Sequence, residues 1–174
     1  MKNFARFAAG ALVISAPILT ASAANATLSA TATASATLVT QVAVAKTADL
    51  NFGSIGIPSS GTGYVTIVPG ASATRSASGG ASTVGSTFTQ ASFNVTGYAS
   101  SAVTLALNGG TSTVTLTDGA AHSLTATLSM DAATSSNLSA GGSLAVNVGG
   151  TLNVPTGATA ATYSTTFTVS ASYQ

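Results

Sequence analysis

From Tyr163 to Tyr173 the side chains change character at every step. Tyr163, Thr165, Phe167, Val169, Ala171 and Tyr173 fall on one side of an extended chain, and Ser164, Thr166, Thr168, Ser170 and Ser172 on the other. A period of two sends alternate residues to opposite faces of a strand, so this stretch is built to bury one face and wet the other. At about 3.3 Å per residue, an unbroken strand from Tyr163 to Gln174 would span roughly 40 Å. Beyond residue 23, no segment carries a 3.6-residue apolar period. Without that period there is no helix to cover a sheet, and the chain is expected to be all-β.

The turn signals divide the chain into short strands. Leu38, Val42 and Val44 share a face in a strand predicted over 37–46. Thr47-Ala48-Asp49 turns it into Leu50-Asn51-Phe52-Gly53, followed by a loop of breakers from Gly53 to Gly63. Tyr64 to Val68 is a strand stopped by Pro69-Gly70, and 71–78 is a short one carrying Arg75. A strand over 88–95 needs a bulge, because its apolar phase shifts between Phe88 and Ala91. Val103, Leu105 and Leu107 lead into Asn108-Gly109, a strong hairpin signal, and Val114 and Leu116 lead out of it. Asp118-Gly119 is a second turn, before Leu124, Ala126, Leu128 and Met130. A polar loop over 135–142 precedes Leu144, Val146 and Val148, which alternate into Gly149-Gly150; Leu152 and Val154 continue to Pro155. Turns at intervals of about 8–14 residues are the spacing of a β-sandwich.

Residues 1–23 read as a secretory signal peptide. Lys2 and Arg6 form a basic start, an apolar run follows from Phe7 to Leu19, and Ala21-Ser22-Ala23 is a small-residue cleavage site. The expectation is export through the inner membrane to the periplasm, then to the cell surface or beyond. The chain has no cysteine. Disulfides, thiolate metal sites and lipid attachment at the cleavage site are therefore excluded. About 150 residues suffice to bury one core without a disulfide.

Charge is scarce. Charged residues are 4% of the chain, against about 25% in an ordinary soluble domain. After residue 23 the cations are Lys46 and Arg75, and the anions are Asp49, Asp118 and Asp131. Two cations cannot neutralise a run of phosphates, which excludes a nucleic-acid surface and a polybasic membrane patch. Alternating, uncharged, β-branched strands lack the usual guards against edge-to-edge pairing, so packing against copies of the same chain is expected.

Catalytic chemistry is poorly supplied. His122 is the only histidine, and a lone histidine in a polar stretch lacks the partners that make a base. No Gly-x-Ser-x-Gly elbow occurs. Asp49 and Asp118 sit in turn contexts and Asp131 ends a strand, where aspartate is common for its local hydrogen bonds. Scattered acids and a single histidine offer no metal site. The reading is therefore no enzyme, no cofactor and no metal. Lys46 and Asp49 can pair across their turn, and Arg75 reads as an edge-strand charge. What remains is the edge of the sheet, since an exposed strand with an alternating face can accept another strand.

A second alternating segment lies at 24–36. Leu28, Ala30, Ala32, Ala34 and Ala36 share one face, with threonine and serine on the other. Alanine is a poor strand former and buries little area. Such a segment is either a leader without structure or a strand that needs a ready-made groove.

These residues resemble a known group. Leu50-Asn51-Phe52-Gly53 after an N-terminal β segment resembles the signature of spore-coat-protein-U-like secreted subunits, and of a related uncharacterised secreted family of Gram-negative bacteria. The alternating stretch that closes on Tyr173-Gln174 resembles the last strand of chaperone–usher pilins, with its penultimate tyrosine. The resemblance covers most of the chain beyond residue 23. It implies an incomplete immunoglobulin-like (pilin-type) β-sandwich that lacks one strand. In such pilins a periplasmic chaperone supplies that strand first, pairing with the subunit's last strand, and in the filament the N-terminal extension of the next subunit fills the groove; the partners implied are copies of the same chain, a periplasmic chaperone and an outer-membrane usher. Carried over by position, 24–36 is the candidate donor strand, with Leu28, Ala30, Ala32 and Ala34 as its knobs. Phe167, Val169, Ala171 and Tyr173 would form the groove edge that the chaperone reads, within a sandwich domain over 37–174. The function implied is a structural subunit of a surface filament (pilus- or fimbria-like) or coat. The alternative is a self-complete secreted sandwich acting as an adhesin or binding module, with 24–36 paired in its own sheet.

Overall fold

The computed structural model describes residues 28–174. The signal peptide expected over 1–23, and the first residues of the candidate donor strand, lie outside them. Residues 28–37 carry no regular secondary structure and are exposed. Leu38–Gln174 forms a compact unit.

That unit is all-β, and it is assembled on one long strand. Numbering strands along the chain, this is β11 (Ser143–Pro155). Leu144, Val146, Val148, Gly150, Leu152 and Val154 keep a single phase along it, and Val146 and Val148 are fully buried. β6 (Ala91–Thr96) pairs with Ser143 to Val148, and β3 (Thr62–Val68) pairs with Gly150 to Pro155. β9 (Ser123–Met130) pairs with Val148 to Asn153, overlapping both. A residue has only two edges, so β6 and β3 follow one another along one edge of β11 and β9 occupies the other. Gly149 and Gly150 mark the handover. A Cβ on Gly149 would collide with the Ile67 carbonyl, and one on Gly150 would lie 2.5 Å from the Thr127 carbonyl oxygen. Both glycines are there because neighbouring backbones come too close for a side chain.

β1 (Ala43–Ala48) adds to β6, β4 (Thr74–Ser78) to β3, and β8 (Thr113–Thr117) to β9. A second sheet has the order β10 (Ser135–Asn137), β7 (Ala102–Leu107), β12 (Val169–Tyr173). A small ribbon joins β2 (Ser54–Gly56) to β5 (Ser82–Val84). All these ladders are antiparallel. Residues from both larger sheets meet in one core: Val65, Ile67 and Val95 from one, Val103 and Leu105 from the other, each at most 1% exposed. Burying a valine or leucine contributes about 1.5–3 kcal/mol, and this cluster does the work that no disulfide can do here.

The arrangement is an immunoglobulin-like sandwich. In that fold, strands A-B-E-D form one sheet and C-F-G the other. β1-β6-β11-β9 follow the first order, and β7-β12 supply C and F. Among the described residues, no strand stands in the position of G, on the outer edge of β12.

Several expectations need correction. Asn108-Gly109 makes a tight turn with positive φ at both residues, yet β7 and β8 do not pair. The turn is a corner at which the chain leaves one sheet for the other. The predicted strand over 163–173 is a strand only at Val169–Tyr173. Upstream, Ser164 bridges to Thr117 of β8 in the other sheet, and the Thr168 carbonyl accepts from Asn108. The side chains keep their alternation while the backbone changes partner sheet, which a periodicity argument cannot register. The N-terminal strand starts at Ala43, later than predicted, and the polar loop over 135–142 contains β10.

The handover glycines give a direct test. Gly149→Ala is expected to destabilise the domain by about 1–3 kcal/mol, the cost of forcing atoms into a filled site. Gly141→Ala, whose Cβ would have its nearest neighbour at 3.7 Å, should leave the urea midpoint almost unmoved. Equal midpoints for the two variants would refute the close-approach account.

Candidate functional site

The core is not closed all the way round. Between the segment Leu50 to Ile57, which continues from β1, and residues 158–167 runs a cleft lined mostly by apolar side chains. Its wide part, about 400 Å³, is lined by Leu50, Phe52, Ile57, Leu116, Leu124, Leu152 and Tyr163 among others. Its narrow part, about 130 Å³, lies against Val114, Ala126, Leu128, Thr165 and Phe167. The two parts share Leu50, Phe52, Leu116 and Tyr163, so they form one tapering furrow.

Past the narrow part the furrow closes. The Phe167 ring meets Phe93 edge-on, with centroids 6.2 Å apart and planes at 67°. Further along, the Tyr173 hydroxyl donates to the Thr40 carbonyl at 2.6 Å and accepts from the Tyr98 N–H at 2.6 Å. Gly97 leaves room for this, since a Cβ there would lie 2.5 Å from the same hydroxyl. Tyr173 thus ties the segment just before β1 to the turn after β6.

Along the taper, one wall offers free backbone. Among the described residues, Thr165, Thr166 and Phe167 make no backbone hydrogen bond, while Ser164 and Thr168 on either side do. Unpaired backbone beside an apolar furrow is the ingredient set for strand addition.

The predicted groove-edge residues fall in this region. Val169 is buried, and Phe167, Ala171 and Tyr173 are half-buried against the core. The predicted donor residues Leu28, Ala30, Ala32 and Ala34 are all exposed, and Leu28 is 97% exposed. Leu38, absent from that set, is 92% exposed. It continues the same even-numbered face, a phase that the sequence carries past residue 36.

The opposite wall explains the Leu50-Asn51-Phe52-Gly53 element. The Asn51 backbone pairs with Thr89 in both directions, at 2.8 and 3.0 Å, which turns Leu50 and Phe52 toward the cleft. The Asn51 side chain accepts from the Gly53 N–H at 2.8 Å. Gly53 adopts φ 76°, and a Cβ there would collide with the Thr87 carbonyl and the Arg75 guanidinium. Arg75 is the staple behind this wall. Its Nη1 donates to the carbonyls of Phe52 (2.9 Å) and Thr87 (3.1 Å), its Nη2 to Gly85 (2.5 Å), and its guanidinium lies 5.3 Å from the Phe88 ring centre. Arg75 does stand on an edge strand, but its charge is spent inward on carbonyls. Only a planar fork reaches three acceptors in this way.

The β8–β9 turn holds the pair that the sequence left untied. Asp118 Oδ2 lies 2.6 Å from His122 Nδ1, and Asp118 Oδ1 accepts from the N–H groups of Ala120 (2.8 Å) and His122 (3.3 Å). The hydrogen bond from His122, then that from Ala120, holds the Asp118 carboxyl below the usual carboxylate range. The arrangement braces the turn beside Thr117, whose backbone anchors Ser164. No serine hydroxyl among the described residues bonds to His122. Lys46 and Asp49 do pair, at 2.6 Å, on the exposed surface, where such a pair contributes little. Asp131 accepts two bonds from Asn147 at 2.7 Å and so extends the β9–β11 ladder. Among the described residues, no three His, Cys, Asp or Glu side chains cluster as a metal site would need.

Two measurements probe these walls. Arg75→Met should cost about 1–3 kcal/mol of stability, from carbonyls left without donors, and Arg75→Lys should recover only part of it; full recovery by lysine would show that charge, not the fork, matters. Asp118→Asn should destabilise at neutral pH. Because folding lowers the Asp118 pKa, its contribution is complete above the unfolded value and is lost as pH falls through the folded one. The gap between wild type and variant should therefore close in acid; a gap independent of pH would remove the carboxylate from the account.

No curated protein and no solved structure matches the chain. Residues 42–173, from the approach to β1 through the end of β12, match the family described as Domain of unknown function (DUF4402), and the chain belongs to that family.

Proposed function

We propose that the protein is a structural subunit of a surface filament or coat, assembled by donor-strand complementation between copies. One observation carries the reading: an apolar furrow with unpaired backbone along Thr165–Phe167, on the side of β12 where an immunoglobulin sandwich has its G strand. A strand from another chain would pair with that backbone and lay its apolar face into the furrow. The segment suited to this is the alternating one over 24–36, whose described residues 28–36 are exposed. Its alanines suit a furrow whose part beside Phe167 holds only about 130 Å³.

The resemblance to chaperone–usher pilins supports the same reading. It brings a periplasmic chaperone and an outer-membrane usher as the partners that would hold the edge of β12 before another copy does. Export by the N-terminal signal precedes either step. The near absence of charge suits a subunit whose surface meets copies of itself.

A second reading has its own observation. A cleft of about 400 Å³ is within the size of small-molecule sites, and a self-complete binding module would use it for a ligand. Deleting residues 24–36 separates the two. On the donor reading, the shortened protein still unfolds cooperatively but no longer forms filaments under the electron microscope. A deletion that leaves the full-length assembly state unchanged would rule donation out.

A further inference from the structure

Polymerisation by strand donation leaves open which residue anchors the strand and which way it runs. The taper of the cleft bears on both. The part of about 400 Å³ has ample room for a branched side chain, and the part beside Phe167, about 130 Å³, leaves less room for each residue of a strand laid along it. On its even-numbered face the N-terminal segment reads Leu28, Ala30, Ala32, Ala34, Ala36, Leu38. A large residue stands at each end of a row of small ones. Either leucine can enter the wide part with the alanines following down the taper, and the two choices run in opposite directions.

We infer that Leu38 of a second copy is the anchor: it seats in the wide part of the cleft, and its strand runs antiparallel to β12. This rests on the donor-strand reading above. Every ladder in the domain is antiparallel, and a strand completing the sheet of β7 and β12 in the immunoglobulin manner is antiparallel to β12. With Leu38 opposite Tyr163, that direction sets Ala36 opposite Thr165 and Ala34 opposite Phe167, where the furrow is narrow. Leu38 is 92% exposed although it stands only five residues before β1. An isobutyl group left in water at that point, with a fitting cleft on every copy, is the complement the cleft lacks.

The direction also fixes the assembly. In each copy the Thr40 carbonyl is held by Tyr173, at the closed end of that copy's own furrow. Leu38, two residues upstream, enters the open end of the next copy. Closed end meets open end, so the contact is heterologous and extends without limit. Anchoring by Leu28 instead would bring two closed ends together, and a pair of copies could satisfy one another as a closed dimer.

The chain has no cysteine, so engineered ones report cleanly. Tyr163 lines the wide part and stands opposite the anchor in this register. Full-length protein carrying Leu38→Cys with Tyr163→Cys, oxidised and run on a non-reducing denaturing gel, should give a ladder of covalent multimers. Leu28→Cys with Tyr163→Cys should stay monomeric. Filaments should also persist in Leu38→Met and be lost in Leu38→Asp, which puts a charge into the apolar seat. A Leu28 pair that links and stops at dimer overturns the anchor and the direction, while strand donation survives. Wild-type filaments with no link from either pair overturn the anchor alone. A link within one chain, or wild-type protein that stays monomeric and unlinked, overturns the anchor together with the donor reading beneath it.

Discussion

The seven-stranded sheet depends on the two edges of β11. One edge accepts β6 and then β3, and the other accepts β9. A strand with three partners must pass two of them within a few residues, and that forces Gly149 and Gly150 together at the crossing. Around this strand the backbone is paired on both edges. Beside the cleft it is not: the segment Thr165–Phe167 has left β8 and not yet reached β7. The strand with three partners and this unpaired stretch thus belong to one arrangement, with the interior ladder complete and a row of free backbone left beside the cleft.

Side-chain chemistry around the cleft maintains it. Arg75 spends its only charge on carbonyls that would otherwise hang loose behind Phe52. Asp118 and His122 brace the turn that fixes Thr117, and through it Ser164. The Tyr173 hydroxyl shuts the far end. With so few ionisable groups in the chain, it is notable that two of the three arrangements use them to shape the cleft and not the outer surface.

Much of this was legible in the residues. Alternation through Val103–Leu107, Leu124–Met130 and Leu144–Val154 predicts strands where strands stand, because a period of two records which face is buried. The same alternation through Tyr163–Phe167 predicts burial correctly and pairing wrongly, because it says nothing about which neighbour supplies the hydrogen bonds. Asn108-Gly109 predicts its turn but not its consequence, since dihedral preference is local and the choice between hairpin and corner is made by distant strands. The roles of Arg75 and of the Asp118–His122 pair were not legible. Their partners are backbone atoms that only the folded chain brings near, although the four-residue spacing of Asp118 and His122 across a turn was a usable hint.

The grip of Tyr173 on Thr40 has a mechanical side. Tension entering through the N-terminal segment reaches the domain at Thr40. There it divides: one share passes along the chain into β1 and the larger sheet, and the other passes through the phenol into β12 and the smaller sheet. A load carried by two sheets at once strains whole ladders together and does not peel one edge strand bond by bond. A single hydroxyl, placed where the chain enters the sandwich, thereby changes how the domain resists being pulled apart.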